Sequence, residues 1–132
     1  MQQRDLILDE IQKLAKILAR IMGLKAEGKT EELNFFAENT LKEELDLQDD
    51  TYIADFPNDY ESQLISKNYS ADKLDLLAKI LLESADSTED NSNRMYKYRQ
   101  VLVIYDILEK VYHIQSLQNL TIRSEIEKLL TT

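Results

Sequence analysis

Apolar residues return along this chain at intervals of three and four, the spacing of helices that bury one side. In the opening stretch RDLILDEIQKLAKILARIMGLK, Ile7, Ile11, Leu14, Leu18 and Ile21 keep that interval, and Leu6, Ile17 and Met22 widen the stripe. Asp5, Asp9 and Glu10 stand near its start and Lys16, Arg20 and Lys25 toward its end, an order of charge that suits the helix dipole. Gly23 costs about 1 kcal/mol inside a helix, which predicts an end between residues 22 and 26. Gly28 is then free to turn in the left-handed region, and Thr30 is placed to cap a second helix over residues 30–45. That helix carries Leu33, Phe36, Ala37, Leu41 and Leu45 on one face. So short a connector makes the two helices antiparallel neighbours, a hairpin over 5–45.

The middle is less regular. An acidic connector over 46–69 contains Pro57, which biases the residue before it away from helix. The pattern predicts a loop around 47–57 and a short helix over 58–67. From Ser70, a good cap, a helix runs to about residue 85 with Leu74, Leu77, Ala78, Leu81 and Leu82 on its buried face. The polar run SADSTEDNSNRMYKY, residues 84–98, holds the slack between two packed helices, and NRMYKYRQVLVIYDILEKVYHIQ, residues 93–115, forms the next long helix, marked by Tyr98, Val101, Leu102, Tyr105, Leu108 and Tyr112. A last helix over 121–130 places Ile122, Ile126, Leu129 and Leu130 on one side, with Thr121 as its cap. The expected fold is all-α: a single domain of about five antiparallel helices and one short extra.

The helices at 70–113 resemble one hairpin of a tetratricopeptide-type repeat. Leu74, Leu77, Ala78 and Leu81 reproduce the spacing of the first helix of such a repeat. Val101, Tyr105 and Leu108 keep the spacing and the aromatic of the second, with both small positions enlarged and His113 where the closing proline belongs. The loop is about eleven residues too long for a repeat of standard length. As a whole, the sequence resembles a group of short bacterial all-helical proteins of uncharacterised function. They open with a segment of the type LILDEIQKLAKILARIMG and end in a tetratricopeptide-like hairpin. The resemblance implies a right-handed arrangement of helical hairpins, closed by a capping helix, and no activity.

Composition narrows the classes. Two glycines and one proline in 132 residues are too few for the turns of an all-β domain. With no cysteine, disulfides, thiol catalysis and cysteine-ligated zinc are excluded. No apolar run has the length of a signal peptide or a membrane span, so the expectation is a soluble cytoplasmic protein without a membrane partner. The net charge of −9 is concentrated: residues 31–93 hold seventeen acidic and four basic side chains, between two mildly basic ends. Such a middle repels phosphate backbones, and no nucleic-acid partner is expected.

Four stretches carry candidate chemistry. Starting at Asp86, Thr88 and Asp90 fall where a calcium loop of the EF-hand kind places oxygen ligands. Asn91 stands at the glycine position, and Lys97 puts a positive charge where a bidentate glutamate belongs. The segment 43–61 has eight carboxylates and no base, with aromatic residues interleaved. Asp49, Asp50, Asp55, Tyr52, Phe56 and Tyr60 are its candidate partner-binding residues, the aromatics serving either as anchors for a partner or as clamps onto the bundle. His113 is the only histidine, with Lys110 rather than a glutamate three residues before it, so the Glu-x-x-His pair of bundle metal sites is missing. RMYKYR, residues 94–99, has the basic and aromatic composition of an RNA contact through Arg94, Lys97 and Arg99, although Tyr98 belongs to the core stripe. Gly23 and Gly28 are isolated, so no glycine-rich phosphate loop exists.

These observations lead to a non-enzymatic scaffold that binds a protein or peptide, or pairs with itself through helix 1, and needs no cofactor. The rival is a metal-dependent hydrolase using the 43–61 carboxylates with His113; a weak RNA-binding module through 94–99 is a third reading. The rival predicts that magnesium, manganese, calcium or zinc raises the melting temperature by several degrees, as linkage demands of a ligand that prefers the folded state. A flat thermal-shift response to all four ions removes it.

Overall fold

The computed structural model describes residues 3–45 and 58–131. Six helices hold most of these residues, and no strand occurs among them: α1 Gln3–Ala26, α2 Thr30–Leu45, α3 Asn58–Ser66, α4 Ala71–Asp86, α5 Asn91–Lys110 and α6 Leu117–Thr131. Five of them are the main helices expected, and the short extra one is α3. The stretch after Pro57 forms a helix in its own right and buries Tyr60 and Leu64.

Local chemistry explains most boundaries. Gly23 lies inside α1, which ends three residues later. There Gly28, at φ +73°, donates its N–H to the Lys25 carbonyl at 3.0 Å, and Lys29 donates to Leu24 at 2.9 Å. Those two bonds satisfy carbonyls that the helix end leaves open, in the paired pattern that a left-handed residue makes possible. Asn68 (φ 53°) follows α3 and His113 (φ 56°) follows α5, both in the left-handed region. Ser70 accepts the Lys73 N–H at 3.2 Å and starts α4, as its position predicts.

Two caps differ from expectation. Thr30 is the first residue inside α2, which also closes a bond from Leu33 N–H to the Lys29 carbonyl at 2.9 Å. The last helix begins at Leu117, where Ser116 accepts the Asn119 N–H at 3.0 Å. Thr121 is therefore a full turn inside α6, with its hydroxyl donating to the Leu117 carbonyl at 3.1 Å. The apolar period begins later than the helix because Leu117, in the first turn, is exposed. The slack expected between a helix ending near residue 85 and one starting at Asn93 also shrinks. Only Ser87–Asp90 separate α4 from α5, because Asp90 accepts the Asn93 N–H at 3.0 Å and caps α5. The polar residues Asn91, Ser92 and Asn93 are the exposed face of its first turn.

The architecture turns on α4. It packs against α1, α2 and α5, while α3 and α6 lie on α5. Half of its sixteen residues are buried, including Leu74, Leu77, Ala78, Ile80, Leu81 and Ala85, which is more than one contact face can hold. α5 is similar: Val103, Ile104 and Ile107 are buried beside the expected Tyr98, Val101, Tyr105 and Leu108. α1 gives Leu14, Ile21 and Leu24 to this core, α2 gives Leu33, Ala37, Leu41 and Leu45, and α6 gives Ile126.

Leu77 has no exposed surface and sits on α4, which is covered by α1, α2 and α5. Leu77→Ala is expected to cost about 3–5 kcal/mol, the upper part of the range for a leucine whose cavity cannot collapse. Leu117→Ala, at an 81% exposed position, is expected to stay within about 0.5 kcal/mol of the parent. Urea denaturation of the three proteins checks both values.

Candidate functional site

The polar run between α4 and α5 folds into a cation site whose cation is the protein's own. Lys97 stands two turns into α5, and its ammonium donates to Glu38 Oε1 at 2.9 Å, Ser84 Oγ at 2.9 Å and Thr88 Oγ1 at 2.8 Å. Three donors thus meet three oxygens drawn from α2, α4 and the connector, which satisfies the ammonium where it leaves water. Around it, Asn34 donates to the Ser87 carbonyl at 2.5 Å, Ser84 donates to Asn34 Oδ1 at 3.5 Å, and Thr88 donates to the Ser84 carbonyl at 2.7 Å. The other oxygens of the EF-hand pattern are also engaged. Asp90 caps α5, and Asp86 accepts the Tyr98 hydroxyl at 2.6 Å. Burial, reinforced by that bond to a carboxylate, holds the Tyr98 phenol well above the ordinary tyrosine value. Nearby, Lys25 pairs with Glu83 at 2.9 Å, which raises the lysine further.

A second polar node lies at the other end of α4. Tyr69 donates its hydroxyl to the Leu45 carbonyl at 2.7 Å, and Tyr112 donates to the Tyr69 carbonyl. The nearly buried Lys73 pairs with Glu10 of α1 and lies 3.9 Å from the centre of the Tyr69 ring. This node ties the ends of α2 and α5 to the start of α4.

The structure disperses the remaining sequence candidates. Tyr60 is fully buried and packs α3 into the core, so its ring is not presented to a partner. Asp49, Asp50, Tyr52, Asp55 and Phe56 lie outside the described residues. Of the other carboxylates in the acidic segment, Glu44 faces Lys13 at 3.8 Å, and Asp59 and Glu61 belong to the first turn of α3. His113 is exposed on the turn after α5, where its left-handed backbone helps to reverse the chain. Among the described residues, no three His, Asp or Glu side chains gather closely enough to hold a metal ion. Arg94, Lys97 and Arg99 do not make one basic patch, because Lys97 is consumed in its node and Arg99 stands on the exposed side of α5.

The fold also leaves several large apolar side chains outward. Val111, Ile114, Leu117 and Leu120 are all exposed at the corner between α5 and α6, and Leu6, Ile7 and Leu8 are exposed near the start of α1. The sequence pattern did not single out the corner, because residues 111–120 follow no helical period; the signal was only their apolar content between two helices. Comparison with models of known protein families, with curated proteins and with solved structures finds no match to this chain. No described helix is long and apolar enough to cross a membrane.

Two outcomes follow from the Lys97 node. Lys97→Met keeps the aliphatic stem but leaves Ser84 and Thr88 without their donor, and is expected to cost about 1–3 kcal/mol in a urea titration. The raised Tyr98 phenol contributes stability that is complete below its unfolded value of 10.0 and is lost as the pH climbs above it. Stability measured against pH should therefore fall above pH 10, and fall less steeply in Tyr98→Phe.

Proposed function

We propose that this chain is a non-enzymatic helical scaffold that docks a protein or peptide on its apolar corner. The observation that carries this reading is the gathering of Val111, Ile114, Leu117 and Leu120 within ten residues, all of them exposed. A single exposed leucine is ordinary, whereas a group of apolar side chains at one place marks a surface that another molecule covers. The packing of α4 against both helices of the first hairpin supports the tetratricopeptide-like arrangement of two stacked hairpins, in which repeats present surface rather than chemistry. The acidic middle of the chain favours a basic partner, and a cytoplasmic location belongs to the same proposal. The likeness to the short bacterial helical proteins rests on the sequence alone.

A second copy is a further candidate partner. The stripe that buries Leu14 and Ile21 continues along α1 to Ile7, which is exposed together with Leu6 and Leu8. Pairing through these side chains is the self-association read from the sequence.

Affinity capture from native lysate with the parent and with Leu117→Asp tests the corner. A protein retained by the parent and released by the variant, at unchanged melting temperature, is the expected result; equal retention by both removes the corner as the docking site. For self-pairing, light scattering at high micromolar concentration should give twice the 15.4 kDa chain mass. The monomer mass refutes it.

A further inference from the structure

α1 outruns the helix it pairs with. Lys13 faces Glu44, the next-to-last residue of α2, at 3.8 Å, so the turns of α1 before Lys13 continue past the end of α2. Leu6, Ile7 and Leu8 are exposed on those turns. The start of α4 links them to the apolar corner. Its Lys73 pairs with Glu10, one turn along α1 from Leu6 and Ile7. Two residues on, Asp75 accepts the amide of Asn119 at 3.2 Å, beside Leu120. Residues two apart on a helix point to different flanks. The two exposed apolar groups therefore stand at one end of the molecule, on either side of α4. The bond from Tyr112, the neighbour of Val111, to the Tyr69 carbonyl holds the end of α5 at that same place. Their charges are opposite. Residues 4–10 contain Arg4, Asp5, Asp9 and Glu10, whereas residues 110–124 contain Lys110 and Arg123 and no carboxylate. Glu10 is engaged by Lys73, and Arg123 by Asp106 and Glu109, while Asp9 and Lys110 are exposed.

We propose that the first turns of α1 and the apolar corner are the two halves of one interface, closed by a second copy of this chain. Leu6, Ile7 and Leu8 of each copy lie on the corner of the other, which brings Asp9 toward Lys110. The proposal rests on the reading of the corner as a docking surface and names its occupant. A two-fold axis at this end of the molecule makes the contact twice, so both apolar groups are covered and no site is left to recruit a third copy. The apolar side chains form the dry centre of such an interface and the opposed charges its rim. Pairing α1 with α1 would set the acidic turns against each other and leave the corner bare.

Light scattering at high micromolar concentration on the parent, Ile7→Asp and Leu117→Asp tests both halves. The parent is expected at twice the 15.4 kDa chain mass and each variant at the mass of one chain, with the helical circular dichroism of all three unchanged. A dimer that survives either substitution overturns the proposal. The absence of cysteine allows the contact to be read directly. Leu8→Cys labelled with nitrogen-15 is mixed with unlabelled Leu117→Cys and treated with a short bismaleimide; the expected product is the mixed-mass dimer. Product linking Leu8→Cys only to itself means that α1 pairs with α1, and overturns the proposal. A parent that stays monomeric overturns it too, but leaves the corner to a different protein, which the lysate capture with Leu117→Asp reads separately.

Discussion

The fold depends on a helix that is apolar on more than one flank. Buried Leu74, Leu77, Ala78, Leu81 and Ala85 could be covered by one neighbour, but Ile80, Lys73 and Ser84 lie round to the side of that stripe and are buried too. Each fully buried large apolar side chain contributes roughly 1.5–3 kcal/mol relative to exposure. α4 can collect that contribution only between partners on both sides. The hairpin of α1 and α2 covers one side and α5 the other, and the remaining helices follow from the need to cover α5 in turn.

Apolar packing alone does not set how far α4 slides along its neighbours. The two polar nodes do. At its start, Lys73 and Tyr69 engage Glu10, Leu45 and Tyr112; at its end, Ser84 and Asn34 meet around Lys97. A shift of one turn would take these groups from their partners and leave buried charge and hydroxyl unsatisfied, at a cost of several kcal/mol. Hydrophobic burial holds the bundle together, and directional bonds at the two ends fix its register.

Much of this was legible in the residues. The periods of α1 and α2, the turn at Gly28 and the cap at Ser70 are local signals, each acting over a few residues, and the structure follows them. The second flank of α5 was not legible in the same way. In the run Val101–Leu108 nearly every position is apolar, so periodicity cannot say which flank meets α4 and which meets α3 or α6. The start of α5 was read two residues late for the opposite reason: Asn91 and Ser92, polar and on an exposed helical face, read as loop when no apolar position marks the turn. Lys97 looked like the residue that spoils a calcium site, and it is the one that fills the space with its own charge. No local pattern could have shown that, because Glu38 lies 59 residues away. The candidates at Asp49, Asp50, Tyr52, Asp55 and Phe56 lie beyond the described residues, and Tyr60 proved to be core.

The attachment of α6 has a kinetic meaning. This helix seals its seam with one fully buried side chain, Ile126, the Arg123 fork onto Asp106 and Glu109, and the Asn119 contact to Asp75. α4 and α5, by contrast, share the largest buried interface in the bundle. Proteins open in cooperative pieces ordered by how much each piece buries. α6 is therefore the first piece to lift away, exchanging its amide protons through excursions that leave the other helices folded, while those of α4 exchange only when the whole domain opens.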